Sequence, residues 1–219
     1  MSYAALDLEQ RSAEWMAARA GRLTGSVAAD AMRTMKSKPK EFTAARKHLR
    51  MRLALERITG RPQEREFTTA AVQHGVEREP IALARYEAMS GEVLTRVGFL
   101  SHNEVLAGCS LDSAVMPGQR IVGIVEAKCP ESATHFEYLR TRMIPYDYRW
   151  QCLHNLWVSG ADWCDFISFD DRFPEDLQYL CVRLERDPKE IREYEIAVCR
   201  FLAEVDEEVD EVNKLRAVA

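Results

Sequence analysis

The sequence predicts an α/β domain in which helices surround a short β-sheet. The first third of the chain carries helix start and stop signals. The segment from about 92 to 129 is rich in β-branched residues separated by turn signals, and the last 30 residues repeat apolar positions with a helical period. A chain of 219 residues can build one domain with a substantial core, so we expect residues 1–219 to form a single domain.

Helices in the first third are predicted from their capping residues. Residues 12–26 read as helical and lead through a Thr-Gly-Ser signal into a second helical segment, 27–35. A third segment, 41–60, ends at Gly60, which is a typical C-terminal stop.

The next predicted helix opens at Thr68 or Thr69 and ends at Gly91. We expect a break near Gly75, with the helix resuming at Pro80, because proline suits a first helical turn.

The middle of the chain predicts a three-stranded antiparallel meander. Its strands lie within 92–102, 105–113 and 120–129, and turn signals occur at 102–103 and 117–118.

Downstream of this sheet, helices are predicted at about 132–142 and 145–158, followed by strands at 164–170 and 177–185. The final helix, 188–216, has an apolar stripe that we expect in the core: Ile191, Tyr194, Val198, Phe201, Val205, Val209 and Val212. Its other face is acidic and comprises Glu204, Asp206, Glu207, Glu208, Asp210 and Glu211.

Composition narrows the possible function classes. The six cysteines are scattered, without a CxxC pair, so a zinc or iron–sulfur site is not expected and the thiols should be reduced and mostly buried. No apolar run reaches the ~20 residues of a membrane-spanning helix, and the N-terminus has no targeting pattern. We therefore expect a protein of the cytoplasm, with no membrane partner.

Charge is distributed unevenly along the chain. The net charge is −5, but residues 31–65 contain eleven Lys and Arg against three acids, a local charge of +8. This asymmetry is compatible with a surface that contacts duplex phosphates, with Arg46, Lys47 and Arg50 as candidates. A solvated helix face accounts equally well for the same pattern.

A candidate catalytic centre follows from strand geometry. Glu126 and Lys128 point to one side of a strand and Ala127 to the other, and a hairpin would bring Asp112 beside Glu126. Two carboxylates with an adjacent amine suit a hard divalent cation, which phosphodiester hydrolysis near neutral pH uses to activate water and neutralise charge. The same pattern alone also fits a surface ion pair.

Five motifs occur in order between about residues 14 and 187: W-x3-R-x4-T-x-S at 15–26, G-x3-E at 75–79, S-x-D at 110–112, E-x-K-C-P at 126–130, and Y-x2-Q-x5-W at 148–157. In this order the chain resembles the lambda exonuclease and YqaJ family of viral-type recombination nucleases, within the PD-(D/E)xK superfamily. The resemblance implies the nuclease fold of that superfamily, a central mixed sheet flanked by helices. Leu111 and Ser113 depart from a family proline and glycine without removing a carboxylate.

The resemblance also implies roles for individual residues. Asp112, Glu126, the Ala127 carbonyl and Glu79 are implied as metal ligands. Lys128 is implied to orient or deprotonate the attacking water, and Gln151 to lie near the active site. The implied grip on a 5′ phosphate is made by Arg19, Thr24 and Ser26.

The implied activity is 5′ to 3′ degradation of one strand of linear duplex DNA, which leaves 3′ overhangs for recombination. The implied cofactor is Mg²⁺, as two ions for which Mn²⁺ can substitute. The implied partners are duplex DNA ends, two further copies in a ring-shaped homotrimer, and a single-strand annealing recombinase.

The sequence alone leaves alternative interpretations open, both for individual residues and for the function. Arg19 could cover Trp15, and Glu79 could cap a helix. At the level of function, the alternatives are a PD-(D/E)xK nuclease of another polarity, an endonuclease of the Cas4-like or restriction-like type, a non-catalytic DNA-end-binding module, and a structural protein with surface ion pairs.

Overall fold

The computed structural model describes residues 3–35, 38–63 and 70–216. The strands are β1 (Tyr3–Leu6), β2 (Leu23–Thr24), β3 (Thr34–Met35), β4 (Lys38–Phe42), β5 (Leu94–Thr95), β6 (Phe99–His102), β7 (Ala107–Ser110), β8 (Ser113–Val115), β9 (Gly123–Lys128), β10 (Trp163–Phe169) and β11 (Tyr179–Glu185). The helices are α1 (Ala13–Arg19), α2 (Ala28–Met32), α3 (Ala44–Thr59), α4 (Ala70–Ser90), α5 (Ser132–Thr141), α6 (Tyr146–Ser159) and α7 (Pro188–Arg216).

Strands in the described part of the chain form two larger sheets and a hairpin. The five-stranded sheet has the order β11-β10-β9-β8-β5, the four-stranded sheet has the order β1-β6-β7-β2, and β3 pairs with β4. Each larger sheet contains one parallel pair, β9 with β10 and β2 with β7, and both sheets are therefore mixed.

Strand β9 is buried on both faces. On one face Val125 and Ala127 pack with Tyr86 of α4. On the other face Ile124 packs in a larger core with Leu153 of α6, and this core also takes residues from α2, α3 and α7. Burial on both faces explains why the strand reads as an apolar run up to Glu126.

The predicted meander is wrong, because the first and the middle of its three predicted strands are each divided between the two sheets. β7 pairs with β6, whereas β8 pairs with β9 and β5. At the switch Leu111 turns into the core, and its carbonyl accepts a hydrogen bond of 3.1 Å from Gln10 Nε2. The division leaves Ser113 opposite Val125, which sets the register of the residue before it, Asp112.

The first third contains more strand than its sequence predicts. The sequence reasoning missed β1, β2 and the β3–β4 hairpin, and residues 25–27 form a 3₁₀ turn before the short α2. The expected break near Gly75 is also wrong: α4 is one helix from Ala70 to Ser90 with Pro80 inside it. The predicted start at Thr68 or Thr69 lies outside the described residues.

Later elements agree closely with the prediction. α5, α6, β10 and β11 lie within two residues of the expected bounds, and α7 begins and ends as expected. The α7 stripe is buried from Ile191 to Val205, Val209 is partly buried against the core, and Val212 is 44% exposed. No helix in the described ranges is long and apolar enough to cross a membrane.

The cysteines are free thiols, but fewer are buried than expected. Three are buried, Cys129 is partly exposed, and Cys181 and Cys199 are exposed.

Candidate active site

The carboxylate of Glu126 is fully buried, and both of its oxygens accept hydrogen bonds. Gln151 Nε2 donates to Oε1 at 2.6 Å, and Asn155 Nδ2 donates to Oε2 at 3.0 Å. The Lys128 ammonium also donates to Oε1. Gln151 and Asn155 are four residues apart on α6, so one face of the helix presents both amides. Burial, reinforced by repulsion from Asp112, raises the pKa of Glu126 to about 8.

Asp112 lies directly before β8, opposite Glu126, as the sequence predicted. Its Oδ2 accepts a hydrogen bond of 2.8 Å from the Ala127 N–H and lies 4.0 Å from Lys128 Nζ. The backbone of one strand thus orients the carboxylate of its neighbour. Ala127 lies between Glu126 and Lys128 in the chain, and its side chain packs on the opposite face of the sheet.

The Lys128 amine is an ammonium in this arrangement. Burial alone would lower its pKa, but attraction to Glu126 and Asp112 and the hydrogen bond to Glu126 outweigh burial and raise the pKa. Its Nζ also lies 5.1 Å from the centroid of the Tyr148 ring. A group in this state donates hydrogen bonds and stabilises negative charge.

Glu79 approaches the same centre from α4. It lines a cavity together with Asp112 and another together with Lys128. Burial, followed by repulsion from Asp112, raises the pKa of Glu79 to about 7, against the attraction of Lys128 and Arg11. The helix therefore delivers a third carboxyl group to the centre. Glu79 does not cap a helix, because α4 continues through Pro80.

The donor set fits a hard divalent cation. Three carboxyl groups face one ammonium, and their mutual repulsion together with burial favours a further positive charge between them. Asp112 and Glu126 would be the principal oxygen ligands. Among the described residues no group of three or more His, Cys, Asp or Glu side chains is already arranged as a metal cage. A cation held here would thus draw on the Asp112–Glu126 pair, with Glu79 and the Ala127 carbonyl as additional ligands.

A second cluster surrounds the guanidinium of Arg19. Its nitrogens lie 3.4 Å from Ser110 Oγ, 3.4 Å from Thr24 Oγ1 and 3.5 Å from Ser26 Oγ. The Trp15 ring lies beneath the guanidinium at 4.1 Å, and its Nε1 donates to Ser110 Oγ at 2.9 Å. One cation ringed by three hydroxyls is suited to binding a phosphate. We call these five residues the arginine–hydroxyl pocket.

The pocket adjoins the acidic centre through two connections. Ser110 is two residues before Asp112 on the same stretch of chain. Gly25, between the pocket's two other hydroxyl residues, packs against the amide of Asn155, which holds Glu126. A phosphate in the pocket would therefore lie beside the carboxylates.

Ser110 and Asn155 are the residues that sequence reasoning missed. Ser110 was present only as the first residue of the S-x-D motif, and Asn155 was given no role. The hydroxyl of Ser110 reaches Arg19 because β7 and β2 are neighbours, a pairing that the sequence did not predict.

The predicted DNA contact by Arg46 is not supported, because this side chain is buried. It is 4% exposed and bonds Glu204 of α7 through both terminal nitrogens, at 2.6 and 2.8 Å. Arg50 pairs with Glu208 at 2.5 Å and with Glu204 at 3.4 Å. Two of the three candidate DNA contacts, Arg46 and Arg50, are thus paired with the acidic face of α7. Lys47 is exposed, and its DNA contact stays a prediction.

Comparison with known proteins gives one family and several solved structures. The family described as YqaJ-like viral recombinase domain matches residues 14–162. The crystal structure of LHK-Exo in complex with dAMP is 38% identical, with a TM-score of 0.84, and the match covers 95% of this chain and 100% of that chain. The structure described as an alkaline exonuclease, LHK-Exo from Laribacter hongkongensis, is also 38% identical, with a TM-score of 0.81 and coverage of 94% and 98%.

A more distant structure, a phage related exonuclease from Haemophilus somnus 129PT, is 16% identical with a TM-score of 0.67, covers 87% of this chain and 96% of its own, and shares the fold alone. No curated protein matches the chain. The predicted α/β fold, with mixed sheets flanked by helices, is confirmed.

Proposed function

The chain belongs to the family of YqaJ-like viral recombinase domains, and from this premise we propose that it is a Mg²⁺-dependent exonuclease that degrades one strand of linear duplex DNA from its 5′ end. The observation that carries the proposal is the placement of Asp112 opposite Glu126, with the Lys128 ammonium bonded to one and 4.0 Å from the other. This arrangement has the charges that phosphodiester hydrolysis needs.

The arginine–hydroxyl pocket supports action from an end. A terminal phosphate carries more negative charge and more free oxygens than an internal phosphodiester, so a single guanidinium with three hydroxyls favours it. Because the pocket adjoins the acidic centre, binding of the 5′ phosphate brings a nearby phosphodiester to the carboxylates. Arg19, Thr24 and Ser26 keep the role that the motifs implied, and Ser110 joins them.

The acidic residues divide the chemical work. Bound Mg²⁺, as two ions or with Mn²⁺ in its place, would supply charge neutralisation and lower the pKa of a water molecule. Glu126 is held in one orientation by Gln151 and Asn155, and Asp112 by the Ala127 N–H. Lys128 donates to the attacking water or to a phosphate oxygen and stabilises charge that develops there. We assign it no proton-accepting step.

The products are 5′ mononucleotides and a duplex with a 3′ single-stranded overhang. The solved LHK-Exo complex holds dAMP, a nucleotide of the expected product class. A ring-shaped homotrimer would enclose the DNA and give processive degradation. A single-strand annealing recombinase would take up the overhang in the cytoplasm of the bacterial cell. The ring and the partner are parts of this proposal that the family resemblance alone supports.

One assay tests the proposal. Linear duplex with a 5′ phosphate, the same duplex with a 5′ hydroxyl, and a closed circle are incubated with the protein in Mg²⁺ and in EDTA. The phosphorylated linear duplex should lose nucleotides from its 5′ labels fastest, and the circle and every EDTA sample should stay intact. Cutting of the circle, or survival of the linear duplex in Mg²⁺, would contradict the proposal.

A further inference from the structure

Two cavities meet at Glu79, which lines both. The larger, about 390 Å³, is also lined by Arg11, Lys128 and Tyr148. The smaller, about 240 Å³, is lined by Asp112. The proposed reaction uses Glu79, Lys128 and Asp112 but assigns nothing to Arg11.

The backbone of Arg11 has a left-handed conformation that arginine rarely adopts. Residues 9–12 form a turn in which the Ser12 N–H donates to the Glu9 carbonyl at 3.1 Å. Arg11 is the third residue of this turn, with φ 70°, a position that glycine or asparagine normally occupies. Arg142 has a similar φ of 50°, but it caps the C-terminus of α5, where this conformation is common. An arginine kept at a turn position suited to glycine points to a use for its side chain.

The side chain of Arg11 is directed to the catalytic cavity rather than into an ion pair. Within the described residues its guanidinium makes no hydrogen bond or salt bridge, and the residue is exposed. It is close enough to Glu79 to lower the pKa of that carboxyl group, and it shares the cavity wall with Lys128. A guanidinium with five free donors beside a nuclease centre is available to a phosphate oxygen.

The position of Arg11 relative to Arg19, at opposite ends of α1, indicates which phosphate Arg11 would contact. Arg11 lies just before α1 and Arg19 ends it, and a helix of seven residues is about 10 Å long. Between them Trp15 bonds Ser110, two residues from Asp112. A strand with its terminal phosphate at Arg19 would pass the acidic centre and reach Arg11 at a phosphate farther from the 5′ end.

We propose that Arg11 binds a non-bridging oxygen of the substrate-strand phosphate on the 3′ side of the scissile bond. This inference rests on the proposed exonuclease function. In this role Arg11 holds the DNA strand across the acidic centre. The left-handed conformation of its turn then serves DNA binding rather than folding.

The test compares Arg11→Gly and Arg11→Asn, whose new residues accept the left-handed conformation, with Arg11→Lys, which keeps the charge. Arg142→Gly is the matched control, because it changes the other non-glycine residue of positive φ in the described ranges, and that arginine lines neither cavity. Thermal unfolding is measured without DNA. Binding of a 5′-phosphorylated duplex is measured in EDTA over a range of salt concentrations, and steady-state kinetics are measured in Mg²⁺.

Arg11→Gly and Arg11→Asn should unfold at the wild-type temperature or above it, yet bind duplex about tenfold more weakly. Their salt dependence, d log K/d log[salt], should be shallower by about 1, as for the loss of one phosphate contact, and KM should rise more than kcat falls. Arg11→Lys should retain the salt slope, and Arg142→Gly should bind as wild type.

Wild-type binding by Arg11→Gly, or a lower unfolding temperature for it, would overturn the inference. If wild type degrades linear duplex in these experiments, the proposed function stands whatever the Arg11 variants do. If wild type leaves linear duplex intact in Mg²⁺, the proposed function itself fails.

Discussion

Asn155 Nδ2 lies 3.0 Å from Oε2 of Glu126, and the Oδ1 atom of the same amide is buried with no hydrogen-bond partner among the residues that the structure describes. This oxygen faces Gly25, where an added Cβ would lie only 2.5 Å from it. One side chain therefore touches both the buried carboxylate of the acidic centre and the backbone of the arginine–hydroxyl pocket. The absence of a side chain at Gly25 is what permits this contact.

Gly25→Ala should reduce activity through Asn155. The new methyl group would displace the Asn155 amide and leave Glu126 with a lost hydrogen bond, which we expect to lower kcat by about 10–100-fold. Asn155→Ala should cause a loss of similar size. Because the methyl group then meets no amide, Gly25→Ala combined with Asn155→Ala should be no worse than Asn155→Ala alone. Steady-state rates of the four proteins check this, and losses that multiply would show that the two residues act independently.

Lys128→Ala should separate turnover from binding. Loss of the ammonium removes a donor beside Glu126 and Asp112, so we expect kcat to fall by about 10²–10³-fold. Binding of a 5′-phosphorylated end should persist, because the arginine–hydroxyl pocket is unchanged. Single-turnover rates in Mg²⁺ and end binding in EDTA measure the two effects. A rate near that of wild type would remove the lysine from the mechanism.

Addition of Mg²⁺ should raise the unfolding temperature of the wild-type protein. A ligand that binds only the folded state stabilises it by about 2.7 kcal/mol at a concentration 100 times its Kd. Asp112→Asn removes a carboxylate ligand and part of the repulsion on Glu126, so it should unfold normally in EDTA yet respond weakly to Mg²⁺. Asp176→Asn, in the 3₁₀ segment Glu175–Leu177, should keep the wild-type response. Equal responses from both variants would place the cation elsewhere.

The strand that carries Glu126 and Lys128 was predictable because its geometry is local. Alternation along β9 fixes Glu126 and Lys128 on one face with Ala127 on the other, whatever the rest of the chain does. The placement of Asp112 opposite Glu126 required only a hairpin between neighbouring strands. The helical periods of α5, α6 and α7 are equally local. The Arg11 turn was not foreseen, since its sequence carries neither glycine nor asparagine at the position that needs a positive φ.

Features that depend on contacts between residues far apart in the chain could not be predicted from the sequence. The chain leaves one sheet for the other between Ser110 and Ser113, and the residue that satisfies the Leu111 carbonyl, Gln10, is 101 positions away. The charge count of residues 31–65 was correct, but a count does not reveal that a partner 158 residues later neutralises Arg46. Local composition therefore overstated the positive surface.

That long-range pairing makes the contact between α3 and α7 sensitive to acid. Hydrogen bonds from Arg46 hold the pKa of Glu204 below its ordinary value, and the positive charge of Arg46 adds to this effect. The hydrogen bond and the charge of Arg50 lower the pKa further. A carboxyl group whose pKa is depressed on folding adds stability above its unfolded pKa, about 4.3, and that contribution is lost as the pH falls through the lower folded pKa.

Glu204→Gln should lower the free energy of unfolding by about 1–2 kcal/mol at pH 7, because it leaves the buried Arg46 guanidinium without its charged partner. The difference from wild type should shrink as the pH falls below about 4.3, where Glu204 of the unfolded chain becomes protonated, and it should be lost once the folded carboxylate also gains its proton at lower pH. Urea unfolding from pH 7 to pH 3 measures it. Glu137→Gln, in an exposed pair with Arg140, should change stability by less than about 0.5 kcal/mol at any pH. A constant difference between Glu204→Gln and wild type across this range would mean that packing, rather than the ion pair, joins the two helices.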